Sequence, residues 1–180
     1  MSRPLAVFFD RDDTLIDDVP YNPDPALVVA RPGARLALDV LRALGVPTAV
    51  VTNQSGVGRG RITLDQVHAV NRRVEELVGP VGPWLICPHA PDDGCTCRKP
   101  APSLVLQAAE MVGVPVGCCV MLGDKRSDLE AASAAGGHAI LVRRHRAQRE
   151  SWGFPAADSL LEAVEMLLAE DFLDRRRSPL

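Results

Sequence analysis

Apolar residues gather in five short runs, at 5–9, 48–51, 84–87, 118–122 and 139–142, separated by polar and glycine-bearing stretches. The runs are nearly continuous rather than alternating, the pattern of strands covered on both faces in a parallel sheet. Between them the spacing becomes helical. Residues 34–44 place Leu36, Val40, Leu41 and Leu44 on one face, with Gly45 as terminator. Residues 64–78 repeat the pattern with Val67, Val70, Val74 and Leu77, and 102–112 starts on a proline, which a first helical turn tolerates. Ser127-Asp128-Leu129-Glu130 and Ser159-Leu160-Leu161-Glu162 have capping-box spacing and open two further helices, the first stopping at Gly136-Gly137. Strands alternating with helices predict an α/β fold with a parallel sheet and right-handed crossovers.

Length and composition narrow the class. With 180 residues and no internal repeat or linker, the chain reads as one domain over 1–173, followed by a frayed tail at 174–180 that carries Arg175-Arg176-Arg177. A net charge of −3 argues against a general nucleic-acid surface. The first apolar stretch is too short for a signal peptide and no segment has the length of a membrane span, so a reducing, cytoplasmic setting is expected. Five cysteines in that setting read as thiols or metal ligands rather than bridges.

The chemistry lies where the runs end. The first passes directly into Asp10-Arg11-Asp12-Asp13-Thr14, the second into Thr52-Asn53 and the fourth into Gly123-Asp124-Lys125. Parallel strands bring three such endings to one sheet edge, where open α/β folds place their ligand crevice. Clustered carboxylates need a cation, and Asp10, Asp12 and Asp124 suit a hard one such as Mg²⁺, which keeps several waters and needs few protein oxygens. Asp128 either supports that cluster or places negative charge at a helix N-terminus. Asp10 is then a candidate nucleophile towards phosphorus and Asp12 a candidate acid and base. Thr52 offers a hydroxyl and Lys99 a positive charge to the transferring group.

A second constellation is Cys87-Pro88-His89 followed by Cys95-Thr96-Cys97. Three sulfurs and an imidazole across a short hairpin suit tetrahedral Zn²⁺, and four protein ligands leave no open position, so the metal would be structural. Scattered buried thiols, or a disulfide in an exported protein, are the other readings. Arg98-Lys99-Pro100 follows the last ligand, so ordering this loop would deliver two cations to the site. Cys118 and Cys119 read as core. Residues 56–60, Gly-Val-Gly-Arg-Gly, lack P-loop and dinucleotide spacing and read as a flexible turn. The basic run 143–149 reads as a solvated loop, and His68 and His138 carry no partner pattern.

Asp10-x-Asp12-x-Thr14, Thr52-Asn53, Lys99 and Gly123-Asp124-x-x-x-Asp128 resemble, in order, the four motifs of the haloacid dehalogenase (HAD) superfamily of Mg²⁺-dependent phosphatases. The Cys87-x-His89…Cys95-x-Cys97-Arg98-Lys99-Pro100 segment resembles the zinc-containing branch, which holds heptose-bisphosphate 7-phosphatases and histidinol-phosphate phosphatases. The resemblance implies a three-layer Rossmann-like HAD fold with a zinc-stabilised loop. It also implies Asp10 as nucleophile, Asp12 as acid/base, and Mg²⁺ on the Asp10 side chain, the Asp12 main-chain carbonyl and Asp124. Thr52 and Lys99 would hold the phosphoryl group. Asp13 departs from the family, which usually has glycine there; aspartate tolerates unusual backbone angles, so activity should survive.

No stretch between motifs is long enough for a large cap domain, so an open site is expected, with selectivity in loops 17–21 and 53–56 and in the zinc loop. Asp18, Tyr21, Asn53, Gln54, Ser55, Arg98 and Lys125 are the candidate substrate-binding residues. D-glycero-D-manno-heptose 1,7-bisphosphate, losing its 7-phosphate, is the favoured substrate, since its second phosphate would meet Arg98 or Lys125. Histidinol phosphate is the alternative, suggested by the short His89-to-Cys95 spacing, with Asp17 and Asp18 for its ammonium. A zinc-stabilised nucleic-acid-binding module is the non-enzyme rival. Family resemblance implies a monomer acting on a small phosphate ester, without nucleic-acid or membrane partners.

Overall fold

The computed structural model describes residues 5–143 and 150–169. Its six strands are β1 (Ala6–Phe9), β2 (Thr48–Asn53), β3 (Trp84–Cys87), β4 (Cys119–Gly123), β5 (His138–Val142) and β6 (Ala156–Ala157). The helices are α1 (Ala34–Ala43), α2 (Leu64–Val78), α3 (Ser103–Val112), α4 (Arg126–Ala134) and α5 (Leu160–Leu168). All strand pairs are parallel, in the order β3-β2-β1-β4-β5-β6. This is the predicted three-layer α/β architecture, in the Rossmann-like strand order. The order reverses between β1 and β4, the switch point outside which such sheets bind ligands.

Strand alternation divides the interior into two apolar layers. Val7, Phe9, Val50, Val120, Leu122 and Ile140 face the layer closed by α1, α2 and α5. Ala6, Phe8, Ala49, Val51, Met121 and Leu141 face the layer closed by α3 and α4. Burial on both sides is why these strands read as unbroken apolar runs. Cys119 is among the buried core residues and Cys118 is partly buried beside them.

Four details differ from the sequence reading. Helix α1 buries Ala34, Ala37, Leu38 and Leu41, whereas Leu36 is 52% and Leu44 58% exposed. Two apolar stripes share this helix, and close packing against α2 and α5 selects the one containing small alanines. Helix α4 starts at Arg126, one residue before the predicted opening: Lys125 is its N-cap, and Asp128 rather than Glu130 reaches back, accepting from Lys125 N at 3.0 Å. Ser159 caps α5 as expected, accepting from Glu162 N at 3.1 Å. Glu162, however, accepts from Asp158 N at 2.7 Å instead of completing the box on Ser159. Finally, β6 has only two residues and no apolar run to betray it. The tail 174–180 and all but Arg143 of the basic run lie outside the described residues.

Candidate active site

Strand register brings the reactive endings level. Phe9 pairs with Val50 and with Leu122, and Asp10 N donates to Leu122 O at 2.9 Å. Asp10, Thr52 and Asp124 therefore emerge at the same carboxyl edge, each at most 4% exposed. Lys99 enters from the loop after β3 and joins them. Its Nζ lies 2.7 Å from Asp10 Oδ1, 2.7 Å from Asp128 Oδ1 and 2.6 Å from Val51 O. Asn53 holds this lysine by its backbone: Nδ2 donates to Lys99 O and Oδ1 accepts from Lys99 N, both at 3.1 Å.

Charge bookkeeping shows what the cluster lacks. Carboxylate oxygens of Asp10, Asp124 and Asp128 lie within 4.8 Å of one another, and all three residues are buried. Against these three negative charges stands one buried ammonium, Lys99, at 3% exposure. A divalent cation restores the balance, and the all-oxygen donors suit Mg²⁺. Asp128 Oδ1 and Oδ2 are engaged by Lys99 Nζ and Lys125 N. Gly123 makes the arrangement possible, since a Cβ there would meet Asp128 Cβ at 2.5 Å.

The same crowding shifts both partners. Burial pushes the Asp10 carboxyl above its ordinary value, with Lys99 opposing and the Asp128 charge adding to the rise. Burial works against the Lys99 ammonium, but Asp10 and Asp128 outweigh it and hold its pKa above the usual lysine value. Lys99 is thus a permanent cation at this site.

Asp12 is partly exposed and tethered. Arg11 forks onto it, Nε to Oδ1 at 3.0 Å and Nη2 to Oδ2 at 3.2 Å, while Gln54 Nε2 donates to Oδ2 at 2.8 Å and to Thr52 Oγ1 at 3.0 Å. Asp13 has φ 57°, the left-handed conformation its place in the motif demands. Its carboxylate accepts from Asp18 N at 3.2 Å and lies 3.8 Å from Arg31, which answers its extra charge.

Asp12 and Lys99 border a cavity of about 400 Å³ whose wall contains every predicted substrate-binding residue: Asp18, Tyr21, Asn53, Gln54, Ser55, Arg98 and Lys125. Tyr21 packs its ring against Gly56, where a Cβ would come within 2.7 Å, and Arg61 lies 5.1 Å from the ring centroid. Asn53 lines the wall, yet its amide is committed to the Lys99 backbone. The 56–60 segment is a turn, as expected, but an anchored one. Gly58 N donates to Pro88 O at 2.7 Å, and a Cβ at Gly58 would meet Ala90 N at 2.5 Å.

Cys87, His89, Cys95 and Cys97 converge as the sequence predicts. Cys87 Sγ is 3.7 Å from Cys95 Sγ and 3.3 Å from Cys97 Sγ; His89 Nδ1 is 3.7 Å from Cys87 Sγ and 3.2 Å from Cys97 Sγ. Tetrahedral zinc with ordinary bond lengths needs edges of about 3.5–3.8 Å, so the donor set fits Zn²⁺ after small adjustments. The thiols are free rather than bridged.

Sequence reasoning assigned no role to Arg11 or Asn71. Both are 4% exposed, and Arg11 Nη1 donates to Asn71 Oδ1 at 2.9 Å. The signal was available for Arg11, a charged residue set between two candidate catalytic carboxylates at the end of a buried strand. Asn71 offered only a polar break in an otherwise apolar helical stripe.

Comparison with known proteins agrees with this geometry. The HAD-hydrolase-like family model matches residues 96–164. A D-glycero-β-D-manno-heptose-1,7-bisphosphate 7-phosphatase of Pseudomonas aeruginosa is 38% identical over 154 residues, covering 83% of this chain and 86% of the relative. The Bordetella bronchiseptica enzyme of the same name is 31% identical over 175 residues, covering 91% and 98%. Among solved structures, D,D-heptose 1,7-bisphosphate phosphatase from B. bronchiseptica, complexed with magnesium and phosphate, superposes with a TM-score of 0.81 at 30% identity over 91% of this chain and 98% of that one. A HAD-like phosphatase from Mesorhizobium loti superposes with a TM-score of 0.75 at 33% identity, covering 92% and 88%. Relatives this similar over nearly their whole length, on a sheet whose switch point gathers the four motifs, place the chain among the haloacid dehalogenase-like phosphatases, and it is a phosphoric monoester hydrolase of that family.

Proposed function

We propose that the chain removes the 7-phosphate from D-glycero-β-D-manno-heptose 1,7-bisphosphate through an aspartyl-phosphate on Asp10. The observation carrying this reading is the meeting of Asp10, Lys99 and Asp128 at 2.7 Å contacts behind a cavity walled by Arg98 and Lys125. An Asp10 oxygen attacks phosphorus as the ester bond to the sugar oxygen breaks, and Asp12 donates a proton to that oxygen. Asp12 then takes a proton from water, which attacks phosphorus and breaks the bond to Asp10, releasing phosphate. Lys99 holds Asp10 in line and, with Thr52, meets the phosphoryl oxygens. Asp128 fixes Lys99. Asp10, the Asp12 main-chain carbonyl and Asp124 would hold Mg²⁺, which when bound would supply positive charge to the transferring group.

Arg98 and Lys125 suit a second phosphate, with Asp18, Tyr21, Gln54 and Ser55 meeting the sugar and Asn53 steadying the Lys99 backbone. Zinc on Cys87, His89, Cys95 and Cys97 holds the loop that delivers Arg98 and Lys99. The relatives' names, with Arg98 and Lys125 on the cavity wall, favour the heptose ester over histidinol phosphate. The nucleic-acid module falls away because the chain is an enzyme of this family. We read 1–173 as one domain acting as a monomer. One continuous sheet supports the first point, and sedimentation velocity tests the second.

The decisive experiment compares kcat/KM for both heptose bisphosphate anomers and histidinol phosphate, with Asp10→Asn alongside. The β anomer should be turned over best and Asp10→Asn should release no phosphate while keeping the native circular dichroism. Turnover by Asp10→Asn at the wild-type rate, or a preference for histidinol phosphate, overturns the assignment.

A further inference from the structure

Asp12 is aimed by its immediate neighbours. Its side chain is 16% exposed and that of the neighbouring Arg11 only 5% exposed, and both line the cavity. Burying a guanidinium costs several kcal/mol unless its donors are well matched. Here Nε and Nη2 take one oxygen each of Asp12, and Nη1 takes Asn71 Oδ1 from the middle of α2, sixty positions along the chain. An arginine fork defines a carboxylate's plane in a way that a lysine point charge cannot.

The lone-pair count then singles out one atom. A carboxylate offers about four acceptor sites, two on each oxygen. On Asp12, Oδ2 receives Arg11 Nη2 and Gln54 Nε2, whereas Oδ1 receives Arg11 Nε. One site remains, on Oδ1. We infer that Arg11 is a positioning residue, anchored by Asn71, which orients Asp12 so that the proton passes through Oδ1 in both half-reactions. In the first, the proton moves from Oδ1 to the ester oxygen as the phosphorus–oxygen bond breaks; in the second, it moves from water to Oδ1. This inference rests on the acid–base role proposed for Asp12.

Two phosphate esters separate a positioning role from a structural one. An alkyl phosphate needs its leaving oxygen protonated, whereas p-nitrophenyl phosphate expels a phenolate that does not. The Mg²⁺-loaded variants Arg11→Met, Asn71→Ala and Asn71→Asp are compared on both esters, each normalised to its folded fraction by thermal melting. Misplacing a catalytic group by an ångström costs about 10²-fold. Arg11→Met should therefore lose about 10²-fold in kcat/KM on the sugar phosphate and less than about fivefold on the aryl ester. Asn71→Ala, which does not line the cavity, should show the same bias at about tenfold, and Asn71→Asp, which keeps the acceptor, should restore it. Should Arg11→Met fail to fold, the Asn71 pair carries the test alone. Equal losses on both esters, or full sugar-phosphate turnover in Asn71→Ala, overturn the inference. Asp12→Asn is the control: if it shows no bias between the esters, the acid–base reading fails and the inference fails with it.

Discussion

Two regions meet at Lys99 and are held together by opposite means. The corner formed by Asp10, Thr52 and Asp124 at strand ends, with Asp128 from the first turn of α4, is fixed by the apolar layers beneath it. The loop from Cys87 to Arg98 has little core beneath most of it, and within it Cys87, His89, Cys95 and Cys97 converge in a group that could hold a metal. Zinc in such a site contributes on the order of 10 kcal/mol to local folding. On the reading proposed here, the fold alone builds the acidic half of the site, while zinc would complete the basic half. Lys99 joins them by reaching from the loop into the corner.

The sharpest way to break this contrast is to remove the zinc. Cys95→Ser, or prolonged chelation, should empty the metal by elemental analysis and lower kcat by about 10²-fold, because Lys99 and Arg98 lose their positions. The sheet should persist in far-UV circular dichroism. Full activity in zinc-free protein would mean that the loop orders itself.

A smaller effect is expected from adding one carbon to the corner. In Gly123→Ala the new Cβ meets Asp128 Cβ at 2.5 Å, so Asp128 must move away from Lys99. Overpacking of this kind costs about 1–3 kcal/mol, read by urea denaturation, with activity falling about tenfold. Gly58→Ala makes an equally short contact with the backbone at Ala90 N, in the anchored turn beside the Cys87–Arg98 loop. Little core lies beneath that loop, so the stability loss should be smaller and the effect on activity confined to KM. Equal destabilisation by the two variants would erase the distinction between a core-backed corner and a metal-backed loop.

The alkaline limb of stability sharpens the comparison further. Burial, with a contribution from neighbouring Cys118, pushes the Cys119 thiol from 9.0 up to about 12. Below pH 9 native and unfolded chains both keep that proton. Between 9 and 12 only the native chain does, so stability falls as pH rises across this window. Lys99 acts in the same direction: its contribution is complete below the ordinary lysine value of 10.5 and is lost as pH rises through its higher native value. Cys119→Ala should flatten the part of the limb that starts near pH 9, and an unchanged limb would remove Cys119 from this account.

Asp13→Gly should do least. Glycine adopts the φ of 57° without strain, and the carboxylate it removes is directed towards Asp18 N and Arg31. Stability should change by less than about 1 kcal/mol and kcat by less than about threefold. A tenfold shift in the Mg²⁺ requirement would instead show that the Asp13 charge reaches the cation site.

The strands were legible because double burial leaves unbroken apolar runs, and the reactive endings because parallel strands align their carboxyl termini. The ligand set Cys87, His89, Cys95 and Cys97 was legible because zinc restricts both ligand type and spacing. Less legible was the buried face of α1, since Leu36–Val40–Leu44 and Ala37–Leu38–Leu41 both satisfy helical spacing. Only the neighbours α2 and α5 choose between them. Asp128 left two roles open in the sequence, and the structure places one of its oxygens on Lys99 and the other on Lys125 N at the start of α4.

By itself the sequence determined the alternation of strand and helix, the sheet edge where chemistry gathers, and which residues can bind each metal. Those properties follow from side-chain type and from spacing along the chain. The tertiary structure decided that Lys99 bridges Asp10 and Asp128, that Asn53 serves the backbone of Lys99, and that Arg11 reaches Asn71. These contacts join residues 46 to 89 positions apart, or hang on how one helix lies against a sheet. Local pattern carries no record of such distances, because they are set by packing between elements that meet only once the chain has folded.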